Sequence, residues 1–309
     1  MSRLSVISST PLCLLQDAGR FGVRHLGVTQ GGALDWVSMA WANRLLGNQP
    51  GMAVLEVTFG GLELRAEQDC CLALAGADLG MTLDDRPLAP WRGFFMARGQ
   101  TLRFGQPRVG VRAYLAAPGG FDAAPVLGSC ASVARERLGG LDGLGKPLAE
   151  GDRLSYSGIG FELRSLEPSR RPDLADRQPL DLVLGAQVGQ FSGESLFAAF
   201  NTQWTLDSRA DRMGMRLLGP ALVYRGAPMI SEGIPLGAVQ VPPDGQPIVL
   251  LNDRQTIGGY PRLGALTPLS LARLAQRMPG DGVRLRAVTQ PTAHEEQVAF
   301  LRRMAAWPG

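Results

Sequence analysis

AVLEVTFGGLELRAEQDCCLALAGADLGMTL, residues 53–83, sets the fold class. Apolar runs at 53–59, 62–66, 70–75 and 79–83 are each strand-length, and Gly, Asp or Gln separates them. Runs this short are bounded before a helix could complete its apolar stripe, so they read as β-strands joined by tight turns. The rhythm continues outward through 93–97, 101–104 and 111–117. Many short strands at even spacing point to a barrel or a sandwich. One helix interrupts them: Asp35 supplies a cap, residues 36–46 carry apolar side chains at helical spacing, and Gly47 supplies the stop.

Further along, Pro168, Pro172 and Pro179 stand among Arg, Asp, Glu and Ser over 164–180, a linker composition. The expected halves are therefore 1–166 and 178–309. In the second, 193–200 reads as a short helix and 221–224, 237–241 and 248–251 as strands. Thr267 caps a helix with Pro268 in its first turn, closed by Pro279 and Gly280. A strand at 283–288 follows, and the pattern Thr292, Ala293, His294, Glu295 reads as the capping box of a last helix.

Forty glycines in 309 residues, about 13% against an average of roughly 7%, fit a chain of many turns. The net charge is only +3 and the basic residues are scattered, so a phosphate-tracking, nucleic-acid-binding surface is not expected. Lys146 is the only lysine among 31 basic residues. Its Gly-Lys-Pro setting fits neither a Walker A loop nor attachment of biotin or pyridoxal phosphate, which leaves arginine as the cation for an anionic ligand. His25 and His294 are too few for a histidine zinc site. Cys13, Cys70, Cys71 and Cys130 lack C-x-x-C spacing and read as reduced thiols. No apolar run approaches 18 residues and no signal peptide is evident, so no membrane association and a cytoplasmic protein are expected.

Two features point toward chemistry. Behind the strand at 248–251, Asn252, Asp253, Arg254, Gln255 and Thr256 arrive without a break, and Gly258, Gly259, Tyr260 and Pro261 close the stretch. Five hydrogen-bonding side chains at a strand end read either as a site or as an Asp253–Arg254 pair tying down a loop. The second is an echo: residues 20–27 match residues 212–219 at five of eight positions, arginines included. It reads either as chance or as a duplicated β domain that places an Arg-Gly-Arg corner from each copy near a shared cleft.

Taken in order, Asp17 to Gly22 with Gly31 to Asp35, Ala75 to Asp78, Tyr114 to Gly120 leading to Gly128 and Ser129, Asp211 to Arg216, and Gln240 to Pro261 resemble one family. It comprises the C subunit of bacterial 5-oxoprolinase, the antikinase KipA and the second half of the carboxyltransferase domain of urea amidolyase (allophanate hydrolase subunit 2-like proteins). The likeness runs from about residue 5 to 290 and is most specific over 246–261. Lys146 in place of the usual Arg, and Ala131 and Ser132 in place of Ser and Thr, are its mild departures.

The resemblance implies a mainly β protein of two cyclophilin-like β-barrel halves with a few short helices. It also implies ATP-dependent opening of the 5-oxoproline lactam to glutamate. The direct partner would be the KipI-like B subunit of 5-oxoprolinase, and the LamB/YcsF-like A subunit would complete the enzyme. ATP is then the expected cofactor, with Mg and the share held by the partner left open, and no biotin is expected on this chain. Alternatives are a KipA-like regulator and the carboxyltransferase half of a urea-type carboxylase. The absence of fused carboxylase domains favours the enzyme subunit.

Polarising a lactam carbonyl needs cations and N–H donors around developing charge, and no histidine nucleophile. Arg254 is accordingly expected to grip a carboxylate or phosphate, with Asp253 orienting it or holding a metal-bound nucleotide. Asn252, Gln255 and Tyr260 are expected to read the lactam edge, and Gln240, Thr256, Gly258 and Gly259 to complete the substrate-binding set. Arg20, Arg212 and Arg216 are expected to add charge, with Asp17 or Glu232 as base.

Overall fold

Every second side chain of a strand faces the same way, and Glu63–Ala66 follows that rule: Leu64 and Ala66 are buried while Arg65 is exposed. The computed structural model describes residues 2–158 and 162–307 and divides into two compact units. Among the described residues, the first holds 2–22, 31–158 and 162–175; the second holds 23–30 and 176–307.

In the first unit, one sheet runs in the order Arg153–Ser155, Ser2–Ser8, Glu63–Ala66, Thr101–Arg103, Thr82–Leu83, Arg86–Pro87. The other runs Cys13–Gln16, Val54–Thr58, Val109–Ala116, Cys70–Asp78, Arg92–Met96. Leu4, Val6, Leu64 and Leu102 of the first sheet share one core with Leu15, Leu55, Leu72, Leu74 and Leu115 of the second. Each such leucine contributes about 1.5–3 kcal/mol by leaving water. The strands expected over 53–117 are present. Ser2–Ser8 and Cys13–Gln16 were not expected, because the turn around Pro11 splits their apolar run.

The helix Trp36–Arg44 starts where expected, with the Asp35 carboxylate accepting from Ser38 N at 3.0 Å. A buried trio anchors its entry. Tyr114 Oη donates to Glu56 at 2.7 Å and accepts from Asp35 N at 2.8 Å, while Glu56 also accepts from Leu34 N.

The second unit is built on an eight-stranded sheet in the order Gly282–Val283, Trp204–Leu206, Gly214–Leu218, Ile248–Leu250, Ala238–Gln240, Arg262–Leu266, Leu180–Leu184, Leu285–Val288. Its two edge strands are separated in sequence by Arg284 alone, so the sheet nearly closes into a barrel. Closure requires close backbone approach at Gly264, where a Cβ would stand 2.1 Å from the Val183 carbonyl oxygen. The expectation of a mainly β chain with a few short helices holds. No helix among the described residues is long and apolar enough to cross a membrane.

Several local expectations are corrected. The last helix spans Gln290–Ala305 and is capped by Thr289, which accepts from Thr292 N; His294 lies inside it. Pro291 fits the first turn and shifts the start upstream of the supposed capping box. The helix Pro268–Leu274 keeps its Thr267 cap but stops before Pro279. Of 221–224, only Tyr224 makes a β-bridge, to Phe191. Ser165 in the supposed linker bridges Arg92, and Leu166 is fully buried, so ordered packing reaches further into that stretch than its composition suggests.

Candidate functional site

Ile248–Leu250 lies in the middle of the barrel sheet, paired with Gly214–Leu218 on one side and Ala238–Gln240 on the other. An apolar run buried from both sides is what a central strand demands, and where it ends the chain must satisfy its backbone by other means. Asn252, Asp253 and Arg254 are buried as they leave the strand, whereas Gln255, Ile257 and Tyr260 are exposed. The motif therefore has a buried anchoring half and an open half.

Asp253 belongs to the anchor. Arg212 Nε donates to its Oδ2 at 3.0 Å and Arg212 Nη2 to its Oδ1 at 3.2 Å, a fork-on-fork pair, while Asp253 N donates to the Arg212 carbonyl. The Asp253–Arg254 pair, one of the two readings of this stretch, is thus replaced by an Asp253–Arg212 pair between the segments that flank the two strands. Arg254, 2% exposed, instead donates to oxygens without full charge: Nε to the Ile234 carbonyl (3.2 Å), Nη1 to the Leu251 carbonyl (3.2 Å) and Nη2 to Gln30 Oε1 (3.4 Å). Burial, and then the charge of Arg24, hold the Arg254 guanidinium well below its usual pKa range.

Arg24 is a residue that sequence reasoning left out of the site. Its Nη2 donates to the same Ile234 carbonyl at 2.7 Å and to the Thr256 carbonyl at 3.1 Å. It comes from the segment 23–30, which belongs to the second unit although residues 31–175 separate it from the rest. Burial lowers its pKa as well. Its place in the echoed Arg-Phe-Gly-Val-Arg pattern was the only signal for it.

The open half is shaped by glycine. A Cβ on Gly258 would stand 2.7 Å from Ile234 Cδ1, 3.2 Å from Gln240 Nε2 and 3.6 Å from Gln255 Nε2, so two side-chain amides flank this glycine. Gly258 pairs with Glu232 in a two-stranded ribbon. Glu232 accepts from Gln187 Nε2 at 3.0 Å and is ion-paired with Arg262, another residue not anticipated. Gly259 follows beside the Met229 carbonyl and Ser231.

Arg216 stands apart from this cluster within the second unit. Arg216 pairs with Ile248 at the opposite end of the ladder from Asp253, and its guanidinium is taken by Asp244. The echo has no common structure either: residues 24–26 form a 3-10 turn closed by Gly27, whereas Gly214–Leu218 is a strand. Asp17 and Arg20 belong to the first unit. There Asp17 accepts from Gly19 N (2.7 Å), Ser129 Oγ (2.6 Å) and Cys130 N (2.7 Å), and Arg20 donates to the carbonyls of Val126, Ser129 and Ala131. Both hold the loop 126–131 in place.

Residues 26–287 match the family described as carboxyltransferase domain, subdomain A and B. The chain belongs to this family. Among curated carboxyltransferase-domain relatives, the 5-oxoprolinase C subunit of Haemophilus influenzae is 35% identical over 94% of this chain and 91% of its own length. The same-named Escherichia coli protein is 39% identical over 88% and 87%. A putative urea carboxylase of Emericella nidulans is 31% identical over 94% of this chain but 24% of its own length. Of solved structures, TTHA0988 superposes with TM-score 0.82 at 37% identity over 93% of this chain, which spans 56% of that protein. Kluyveromyces lactis urea amidolyase superposes with TM-score 0.91 at 25% identity over 98% of this chain, which spans 20% of that enzyme.

Proposed function

We propose that this chain is the C subunit of an ATP-dependent 5-oxoprolinase, an amidohydrolase that opens 5-oxo-L-proline to L-glutamate, and that it turns over nothing without its B and A partner subunits. The observation that carries this is the match to two proteins named as 5-oxoprolinase C subunits along nearly their whole length, at 35% and 39% identity. ATP, when bound, supplies the phosphoryl group that turns the lactam oxygen into a leaving group. Arg254 fits a role in holding the substrate carboxylate or a phosphoryl group, since it is a buried cation bonded only to carbonyl-type oxygens. Gln240, Gln255, Asn252 and Tyr260 would orient the ring amide, with Gly258 and Gly259 giving it room and Thr256 fixing the loop through its carbonyl. Asp253, Arg212 and Glu232 serve better as positioning residues, because each is already ion-paired. Among the described residues no group of three or more His, Cys, Asp or Glu is placed to hold a metal ion.

A second reading is favoured by the urea carboxylase relatives and the 0.91 TM-score: the carboxyltransferase half of a urea-type carboxylase, fed by a biotin carrier on another domain. The test is to assemble this chain with its B and A partners and measure ATP-dependent glutamate release from 5-oxo-L-proline. Turnover is expected, with a loss of about 10²–10³-fold in Arg254→Ala. Folded subunits that release no glutamate, or that carboxylate urea with a biotin carrier instead, would overturn the leading reading.

A further inference from the structure

The second unit is generous in pairing arginines with carboxylates. Arg209 has Asp207, Arg212 has Asp253, Arg216 has Asp244, Arg262 has Glu232 and Arg286 has Asp181. Against that habit, Arg24 and Arg254 have no carboxylate within ion-pair distance among the described residues, and they are set against each other. Nε of Arg254 and Nη2 of Arg24 share a single acceptor, the Ile234 carbonyl. Like charges crowded on one oxygen oppose folding, and burial adds to the opposition. Backbone carbonyls offset only part of it. Donors are also left over: Arg24 Nη1 is buried without a hydrogen-bond partner, and Arg254 uses three of its five N–H groups.

We infer that Arg24 and Arg254 together form an oxyanion subsite in the second unit, which takes a carboxylate or phosphoryl group across the two guanidinium forks. A planar or tetrahedral oxyanion supplies at least two oxygens, enough to meet the spare N–H groups of both arginines and to cancel their mutual repulsion. The inference rests on reading Asn252–Tyr260 as the working face, and it adds a specificity-determining residue from the segment 23–30. In the proposed reaction the two sources of such an anion are the 5-oxoproline carboxylate and the transferred phosphoryl group.

Isothermal titration of the purified chain with inorganic phosphate and, separately, with 5-oxo-L-proline at matched ionic strength tests this. At least one probe is expected to bind and raise the melting temperature, and Arg24→Gln is expected to weaken it tenfold or more. Arg24→Lys, which keeps the charge but loses the fork, should bind more weakly than wild type and more tightly than Arg24→Gln, and Arg286→Gln should leave binding unchanged. Without ligand, Arg24→Gln should melt no lower than wild type, because it removes one of two repelling charges; a purely structural Arg24 would make it melt lower. Saturation by one probe that excludes the other assigns both to one subsite, and binding by only one identifies the source. Neither probe binding, or equal binding by wild type and Arg24→Gln, overturns the inference. These readouts need no turnover, so an inactive assembled enzyme with intact anion binding would remove the proposed reaction and leave the subsite standing.

Discussion

Removing the Asp253 carboxylate offers the sharpest division between a scaffold and a catalyst. The side chains of Asp253 and Arg212 are 9% and 17% exposed, and two charge-assisted hydrogen bonds join them. Deleting one partner of a buried pair costs about 3–5 kcal/mol, since the other charge stays behind. Arg212 keeps some access to water, which places Asp253→Ala at the lower end, about 3 kcal/mol. At roughly 2–4 °C per kcal/mol this is a fall of about 6–12 °C in Tm. Urea unfolding of Asp253→Ala, Arg212→Ala and the double variant should return a coupling energy of about 2 kcal/mol. An Asp253→Ala protein within about 0.5 kcal/mol of wild type that nevertheless loses turnover would refute the reasoning and make Asp253 a group that acts on substrate.

Two glycines of the second unit should respond differently to the same substitution. Gly264→Ala puts a Cβ 2.1 Å from a backbone oxygen and should destabilise by roughly 1–3 kcal/mol or more in chemical denaturation. Gly258→Ala has side-chain ends of Ile234, Gln240 and Gln255, and no backbone atom, as its nearest neighbours, so it should cost less stability than Gly264→Ala yet impair turnover; the reverse order would contradict the close-approach account. Hydrogen bonds from the Arg209 side chain and then its backbone hold the Asp207 carboxyl down to about 2. A folded value below the unfolded one of about 3.9 means the contribution is complete above that pH and fades as pH falls toward 2. Asp207→Asn should therefore flatten part of the acid limb of stability between about pH 4 and 2 in denaturation curves, and an unaltered slope would count against the pairing.

Local pattern carried much of the fold. The strands over 53–117 were legible because turn residues bound them, and the caps of Asp35 and Thr267 were legible because their chemistry acts within three residues. What stayed hidden depends on distance along the chain. Residues 212–219, with arginines on both sides of Gly214, look like a corner, and only pairing with Ile248–Leu250 makes Gly214–Leu218 a strand. The Asn252–Tyr260 stretch announced itself through its density of polar groups, but the partner of Asp253 lies 41 residues away and that of Arg254's carbonyl acceptor, Arg24, lies 210 residues from Ile234. Nothing in the composition of residues 23–30 marks them as part of the second unit.

That segment also limits how the chain can be made. Ribosomes add about 5–20 residues per second, so Arg24 is synthesised on the order of 10–40 s before the Ile234 carbonyl to which it donates. Throughout that interval residues 23–30 wait for the rest of their unit, while the chain before and after them in sequence enters the first unit. A gene cut between residues 175 and 176 would yield a C-terminal fragment that lacks a piece of its own unit. Such a fragment should recover its full stability only when a peptide spanning residues 23–30 is supplied in trans.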